Sequence, residues 1–111
     1  MPVAPGVEVE FIDAGHLLGS AYARVKLAGG KTILFGGDLG RYSRPILHDP
    51  SPIEAANVLL VESTYGDRTH IADDNGQRLA AIVNDTAQRG GKLIIPSFAI
   101  GRVEEVLFWL K

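Results

Sequence analysis

The 111-residue chain contains no cysteine, which removes disulfides, thiolate metal sites and cysteine nucleophiles together. No apolar run approaches the roughly 18 residues of a membrane span. The opening Met1-Pro2-Val3-Ala4-Pro5-Gly6 has neither the basic stretch nor the apolar stretch of a secretory signal. A reduced, cytoplasmic setting is therefore expected. Charge of one sign is also missing: 11 Lys and Arg stand against 13 Asp and Glu, a net charge of −2. A nucleic-acid binder held mainly by phosphate neutralisation shows a basic excess, so any nucleic-acid role here must rest on a local site. Gly36-Gly37-Asp38-Leu39-Gly40 lacks the spacing of a dinucleotide fingerprint, and no Gly-Lys-Ser/Thr phosphate loop exists.

What the chain does have is glycine, 13 of 111 residues against an average near 7%. That excess favours a site built from loops over a helical bundle. A hydrophobic content of 46% fits a folded chain, and the length allows one ordinary domain or pieces of two.

Val7 to Ile12 alternates apolar and polar residues and reads as a half-buried strand. Ser20 to Ala28 alternates again, Gly29-Gly30 signals a hairpin, and Lys31 to Phe35 is the returning strand. The stretch Arg41 to Ala55, with Pro45, Pro50 and Pro52 and no periodicity, reads as an irregular loop. Val58-Leu59-Leu60-Val61 is a continuous apolar run, expected of a strand covered on both faces. Beyond residue 66 the pattern changes. Asp73 or Asp74 can cap a helix whose inward face holds Leu79, Ile82, Val83 and Thr86 or Ala87, and Gly90-Gly91 ends it. Lys92 to Pro96 is expected to be a short buried strand. Gly101 to Lys111 is expected to be a second helix with Val103, Val106, Leu107 and Leu110 inward. The expected class is mixed α/β: an antiparallel sheet over about residues 7–62, then β–α–β–α elements.

Three polar residues share one local pattern, each following an apolar strand and opening a loop. They are His16 in Asp13-Ala14-Gly15-His16, Asp38 in Phe35-Gly36-Gly37-Asp38, and Glu62 in Leu60-Val61-Glu62-Ser63. Strand ends that converge on one sheet edge are where such proteins place ligands. One imidazole with carboxylates suits Zn²⁺, Mn²⁺ or Fe. Taken singly, each residue also fits a blander role as a turn residue, a cap or a salt-bridge partner. His48 and His70 sit in polar loops and read as solvated surface. Arg41, Arg44 and Arg68 read mostly as ordinary loop charges.

Four strings occur in order: Ala14-Gly15-His16-Leu17-Leu18-Gly19-Ser20, Phe35-Gly36-Gly37-Asp38, Glu62-Ser63-Thr64-Tyr65-Gly66-Asp67-Arg68-Thr69-His70, and Ile95-Pro96-Ser97-Phe98-Ala99-Ile100-Gly101-Arg102. Together they resemble the β-CASP branch of the metallo-β-lactamase superfamily, the RNA-processing nucleases related to the mRNA 3′-end cleavage endonuclease. The resemblance runs from about Val9 to Lys111. It implies part of an αββα sandwich over residues 1–66 and the start of a β-CASP α/β domain over residues 67–111. It implies that His16 is a zinc ligand and that Asp38 bridges two zinc ions. Glu62 is implied to be an acidic partner of a downstream histidine, so that His16, Asp38 and Glu62 form the catalytic group. Ser97 and Arg102, where the last helix opens, resemble residues near the substrate phosphates, and a helix N-terminus suits an anion.

The implied activity is zinc-dependent hydrolysis of single-stranded RNA. Paired zinc ions in such a site polarise a phosphodiester and make hydroxide available near neutral pH. Glu62, where related DNA-repair nucleases tend to carry Asp, leans the substrate towards RNA. The His-x-His-x-Asp-His string that supplies most ligands in the family does not occur here. Gly101-Arg102-Val103-Glu104-Glu105 also departs from the family's usual Gln before the second Glu. The chain is accordingly expected to be an internal piece that binds zinc weakly and lacks nuclease activity by itself. With half a sandwich, exposed apolar surface and self-association into homo-oligomers are expected. Two alternatives stand beside the ribonuclease: a non-catalytic homologue serving as a scaffold in an RNA-processing complex, and a small-molecule hydrolase of the same superfamily.

Overall fold

The computed structural model describes residues 1–72 and 74–111. The chain divides into two compact units, Met1–Gly66 and Asp67–Lys111. The class expected from the sequence, mixed α/β with a mainly antiparallel sheet, is the one found.

The first unit is a five-stranded sheet in the order β1 (Pro2–Ala4), β2 (Val7–Asp13), β3 (Ala21–Leu27), β4 (Thr32–Phe35) and β5 (Val58–Leu60). Strands β1 to β4 are antiparallel neighbours, and β5 joins β4 in parallel. The β2–β3 ladder runs in unbroken register from Val7 opposite Leu27 to Asp13 opposite Ala21. It is pinned by alternation, because slipping one residue would turn every apolar side chain to the other face. Gly29 and Gly30 both have φ near +85°, the left-handed backbone that a tight hairpin turn needs. β1 was not anticipated; it folds back through Pro5-Gly6 to lie on β2.

The register assigns two faces. One carries Ile12, Tyr22 and Leu34 with Glu10, Arg24 and Lys26, and the 41–57 loop lies over it. Here sits the core: Ala14, Tyr22 and Leu34 are buried, with Ile12 and Ala56 packed against them. Burial raises the pKa of the Tyr22 phenol, with Tyr42 and Asp13 adding to the effect. Across the same face Arg24 joins Glu10 (2.9 Å) and Glu54 (3.1 Å), tying the loop to β2 and β3. The opposite face carries Val9, Phe11, Val25, Ile33, Phe35 and Leu60, and nothing in this unit covers it; Phe11 is 63% exposed. β5, expected to be covered on both faces, is an edge strand with Val58, Leu59 and Leu60 about half exposed. Its apolar run pairs with β4, but no layer lies over either side.

The second unit holds α1 (Gln77–Gln88) and α2 (Arg102–Trp109). Asp74 accepts the Arg78 N–H and so serves the first turn of α1, although the cap position itself is Gly76 with φ +78°. Asp73, the other candidate cap, lies outside the described residues. Gly90 and Gly91 close the last turn through N–H bonds to Ala87 and Thr86. Trp109 at the end of α2 packs on Gly76, where a Cβ would come within 3.0 Å of the indole.

Two expectations are corrected here. Residues 92–96 form no strand among the described residues, because no partner strand exists in this unit to complete a ladder. The positions expected to face inward on the two helices are not buried either; Ile82 and Leu107 are more than half exposed. Two short helices without a sheet beneath them cannot cover each other's apolar faces.

Candidate functional site

Sheet order alone dictates where the three candidate residues meet. β2 is antiparallel to β3 and β3 to β4, so β2 and β4 run the same way, and β5 runs with β4. The C-terminal ends of β2, β4 and β5 therefore share one sheet edge. His16 follows β2, Asp38 follows β4 and Glu62 follows β5.

The His16 loop is closed on Ser20. The Ser20 hydroxyl accepts the N–H groups of His16 (3.1 Å) and Leu17 (3.0 Å), and Ala14 donates to the Ser20 carbonyl. Asp13 accepts the Gly15 N–H at 2.8 Å. Gly15 has φ +60°, and a Cβ there would stand 2.7 Å from the Pro50 nitrogen, so only glycine fits. The Asp38 loop is held against this one by Gly40, whose N–H donates to the Ala14 carbonyl at 3.1 Å.

At the rim, His16 Nδ1 lies 3.2 Å from the Leu39 carbonyl and its Nε2 lies 3.9 Å from Asp38 Oδ2. Glu62 accepts the Leu39 N–H at 2.6 Å and the Thr64 hydroxyl with its other oxygen. The Thr64 hydroxyl, then the Leu39 N–H, and more weakly the nearby His16, hold the Glu62 carboxyl below its usual range. Glu62 is thus an anion that receives hydrogen bonds and does not carry a proton near neutral pH.

Zinc is the ion the family resemblance implies, and the donor set fits it in part. An imidazole nitrogen and a carboxylate oxygen 3.9 Å apart can share one cation at about 2.0–2.2 Å from each. The exposed Asp38 carboxylate faces solvent. Among the described residues, no group of three His, Asp or Glu side chains is arranged to hold a metal. His16 and Asp38 supply two donors, and Glu62 spends its oxygens on Leu39 and Thr64.

Ser97 and Arg102 both belong to the second unit. Ser97 donates weakly to the Ile95 carbonyl (3.4 Å) and Arg102 to the Pro96 carbonyl (3.1 Å). The N-terminus of α2 is taken by Glu104, which accepts the Gly101 N–H at 2.6 Å. His48 is fully exposed beside Asp13 (3.9 Å). Sequence reading passed over Leu39, Thr64 and Gly40. Thr64 lies inside a string already singled out, whereas Leu39 and Gly40 act through their backbones and leave no side-chain signal.

No family model matches the chain. Curated relatives do. It is 39% identical over 105 residues to Ribonuclease TTHA0252 of Thermus thermophilus, covering 94% of this chain and 24% of that protein. It is 37% identical over 107 residues to Endoribonuclease YSH1 of Saccharomyces cerevisiae, covering 95% of this chain and 14% of that protein. The chain belongs to the β-CASP metallo-β-lactamase family. Likeness extends to the Transcription termination factor FttA of Methanosarcina mazei, 34% identical over 115 residues, 98% of this chain and 18% of that protein. The chain spans about a quarter or less of the length of these β-CASP relatives. No helix among the described residues is long and apolar enough to cross a membrane.

Proposed function

We propose that this β-CASP chain contributes two metal-binding side chains to a zinc-dependent ribonuclease of RNA processing, with single-stranded RNA as substrate in a cytoplasmic setting. The observation that carries the reading is the meeting of His16, Asp38 and Glu62 at one sheet edge from three strands far apart in sequence. Similarity to ribonucleases along more than nine-tenths of the chain supports it. On this reading residues 1–66 are the second part of a metallo-β-lactamase-like domain and residues 67–111 open a β-CASP-like one.

Bound zinc supplies Lewis acidity towards a phosphodiester and a water acidic enough to serve as hydroxide. His16 offers a nitrogen donor through Nε2, the ring atom nearer Asp38. Asp38 offers an anion that offsets cation repulsion. Glu62 keeps the Asp38 loop in place through the Leu39 N–H. Ser97 and Arg102 would need to leave the Ile95 and Pro96 carbonyls to reach a phosphate. Two donors are too few for a tight dinuclear site, so the 111-residue chain alone takes up zinc weakly and does not cleave RNA.

The test replaces the matching segment of the Thermus thermophilus ribonuclease with this chain. The folded chimera is expected to cleave single-stranded RNA, and Asp38→Ala in it to abolish cleavage without changing its circular dichroism. Unchanged cleavage with Asp38→Ala would overturn the reading.

A further inference from the structure

We propose that Glu62 and Thr64, acting through the Leu39 backbone, set the tautomer of His16, keeping the proton on Nδ1 and the Nε2 lone pair towards Asp38. The proposal deepens the metal reading above and rests on it for its consequence, though not for its geometry. A neutral imidazole has one N–H and one lone pair, and the hydrogen bond at one nitrogen decides what the other offers. His16 Nδ1 is 3.2 Å from the Leu39 carbonyl. A carbonyl only accepts, so the contact is a hydrogen bond only when Nδ1 carries the proton. Nε2, at 3.9 Å from Asp38 Oδ2, is beyond hydrogen-bond reach. The proton therefore gains a protein acceptor within hydrogen-bond reach on Nδ1, whereas on Nε2 Asp38 stands beyond that reach.

The Leu39 carbonyl is itself held from behind. Glu62 accepts the N–H of the same residue at 2.6 Å, and Thr64 donates to the other Glu62 oxygen. The four groups form one chain: Thr64 hydroxyl to Glu62, Leu39 N–H to Glu62, and His16 Nδ1–H to the Leu39 carbonyl. Glu62 limits how Leu39 can turn. The coupling is geometric: the Leu39 N–H and C=O lie in adjacent peptide groups joined at one Cα, so holding the first restricts the direction of the second. Glu62 and Thr64 act on His16 through the Leu39 backbone; they are positioning residues. An imidazole without such a partner favours the opposite tautomer in water, with the lone pair on Nδ1. The Leu39 carbonyl reverses that preference.

The measurement is the ring nitrogen-15 spectrum of His16 in the metal-free 111-residue chain at about pH 8.5, where imidazole is neutral. The Nδ1–H form is expected to dominate. Thr64→Val is expected to lower the ratio of Nδ1–H to Nε2–H, and Glu62→Ala to lower it further, by about fivefold, the factor that corresponds to one hydrogen bond. Thr64→Ser restores the hydroxyl and the ratio. A loss of fold would scatter the amide spectrum of β2 to β4. Thr64→Val, at an exposed position, keeps the test alive if Glu62→Ala fails to fold. A dominant Nε2–H form in the parent chain, or a ratio unmoved by both variants, overturns the proposal. Failure of the ribonuclease reading would show instead as an inactive but folded chimera, with this ratio unchanged.

Discussion

Gly40→Ala offers the sharpest test of how the two loops of the site are joined. A Cβ built on Gly40 would sit 2.1 Å from the Ala14 carbonyl oxygen and 2.4 Å from the Gly15 carbonyl carbon. Both obstacles are backbone, so no rotamer change relieves them. The φ of Gly40 is not in the left-handed region, so alanine meets no conformational penalty and the effect is purely steric. Bringing the Cβ from 2.1 Å to an ordinary contact of 3.4 Å or more moves the 38–40 loop by more than about 1 Å from the 14–16 loop. That movement breaks the Gly40 N–H bond to Ala14 (3.1 Å) and stretches the His16–Leu39 contact (3.2 Å). Two hydrogen bonds at about 1 kcal/mol each give about 2 kcal/mol, in line with overpacking at about 1–3 kcal/mol. For a unit of this size that lowers the melting temperature by about 8–16 °C. Gly30→Ala is the control: its Cβ would meet nothing, and only the φ of +85° costs anything, about 1 kcal/mol. The assay is thermal unfolding by circular dichroism together with the His16 ring spectrum. A Gly40→Ala chain that melts within about 1 °C of the parent and keeps its His16 tautomer would refute the steric account.

Three further outcomes follow from the first unit. Leu34→Ala removes the largest aliphatic side chain of a core with three buried residues and is expected to cost about 2–5 kcal/mol, most of the stability of a sheet this small; urea unfolding checks it, and a loss below about 0.5 kcal/mol would contradict the core assignment. Glu10 is held below its ordinary pKa of 4.5, chiefly by the Arg24 hydrogen bond. Its contribution to stability is therefore present above the ordinary value and is lost as pH falls through the depressed one. The melting difference between parent and Glu10→Gln should shrink towards zero in that acid window, and a constant difference would count against the ion pair. Phe11→Lys, in the middle of the uncovered apolar face, should lower self-association in sedimentation velocity; equal association would place the sticky surface elsewhere.

Local rules made much of this chain legible. Period-two alternation located β2 and β3, and Gly29-Gly30 located their neighbouring hairpin, because each strand side sees one environment and two positive φ angles demand glycine. Helical spacing located α1, and Gly90-Gly91 its end. The same strings singled out His16, Asp38 and Glu62 one by one. Reading failed where an element depends on a partner rather than on itself. Residues 92–96 have the composition of a strand but no ladder to join, and Val58–Leu60 has the composition of a covered strand but lies at an edge.

The order and directions of the strands, not residue type, bring three distant loops to one edge. Which nitrogen of His16 faces Asp38 was equally invisible, since it is set by a backbone carbonyl 23 residues away. Composition and spacing could nominate the imidazole and the two acids, because those depend on local chemistry. Their distances and proton positions depend on hydrogen bonds between backbones far apart in the chain, and only the folded sheet decides those.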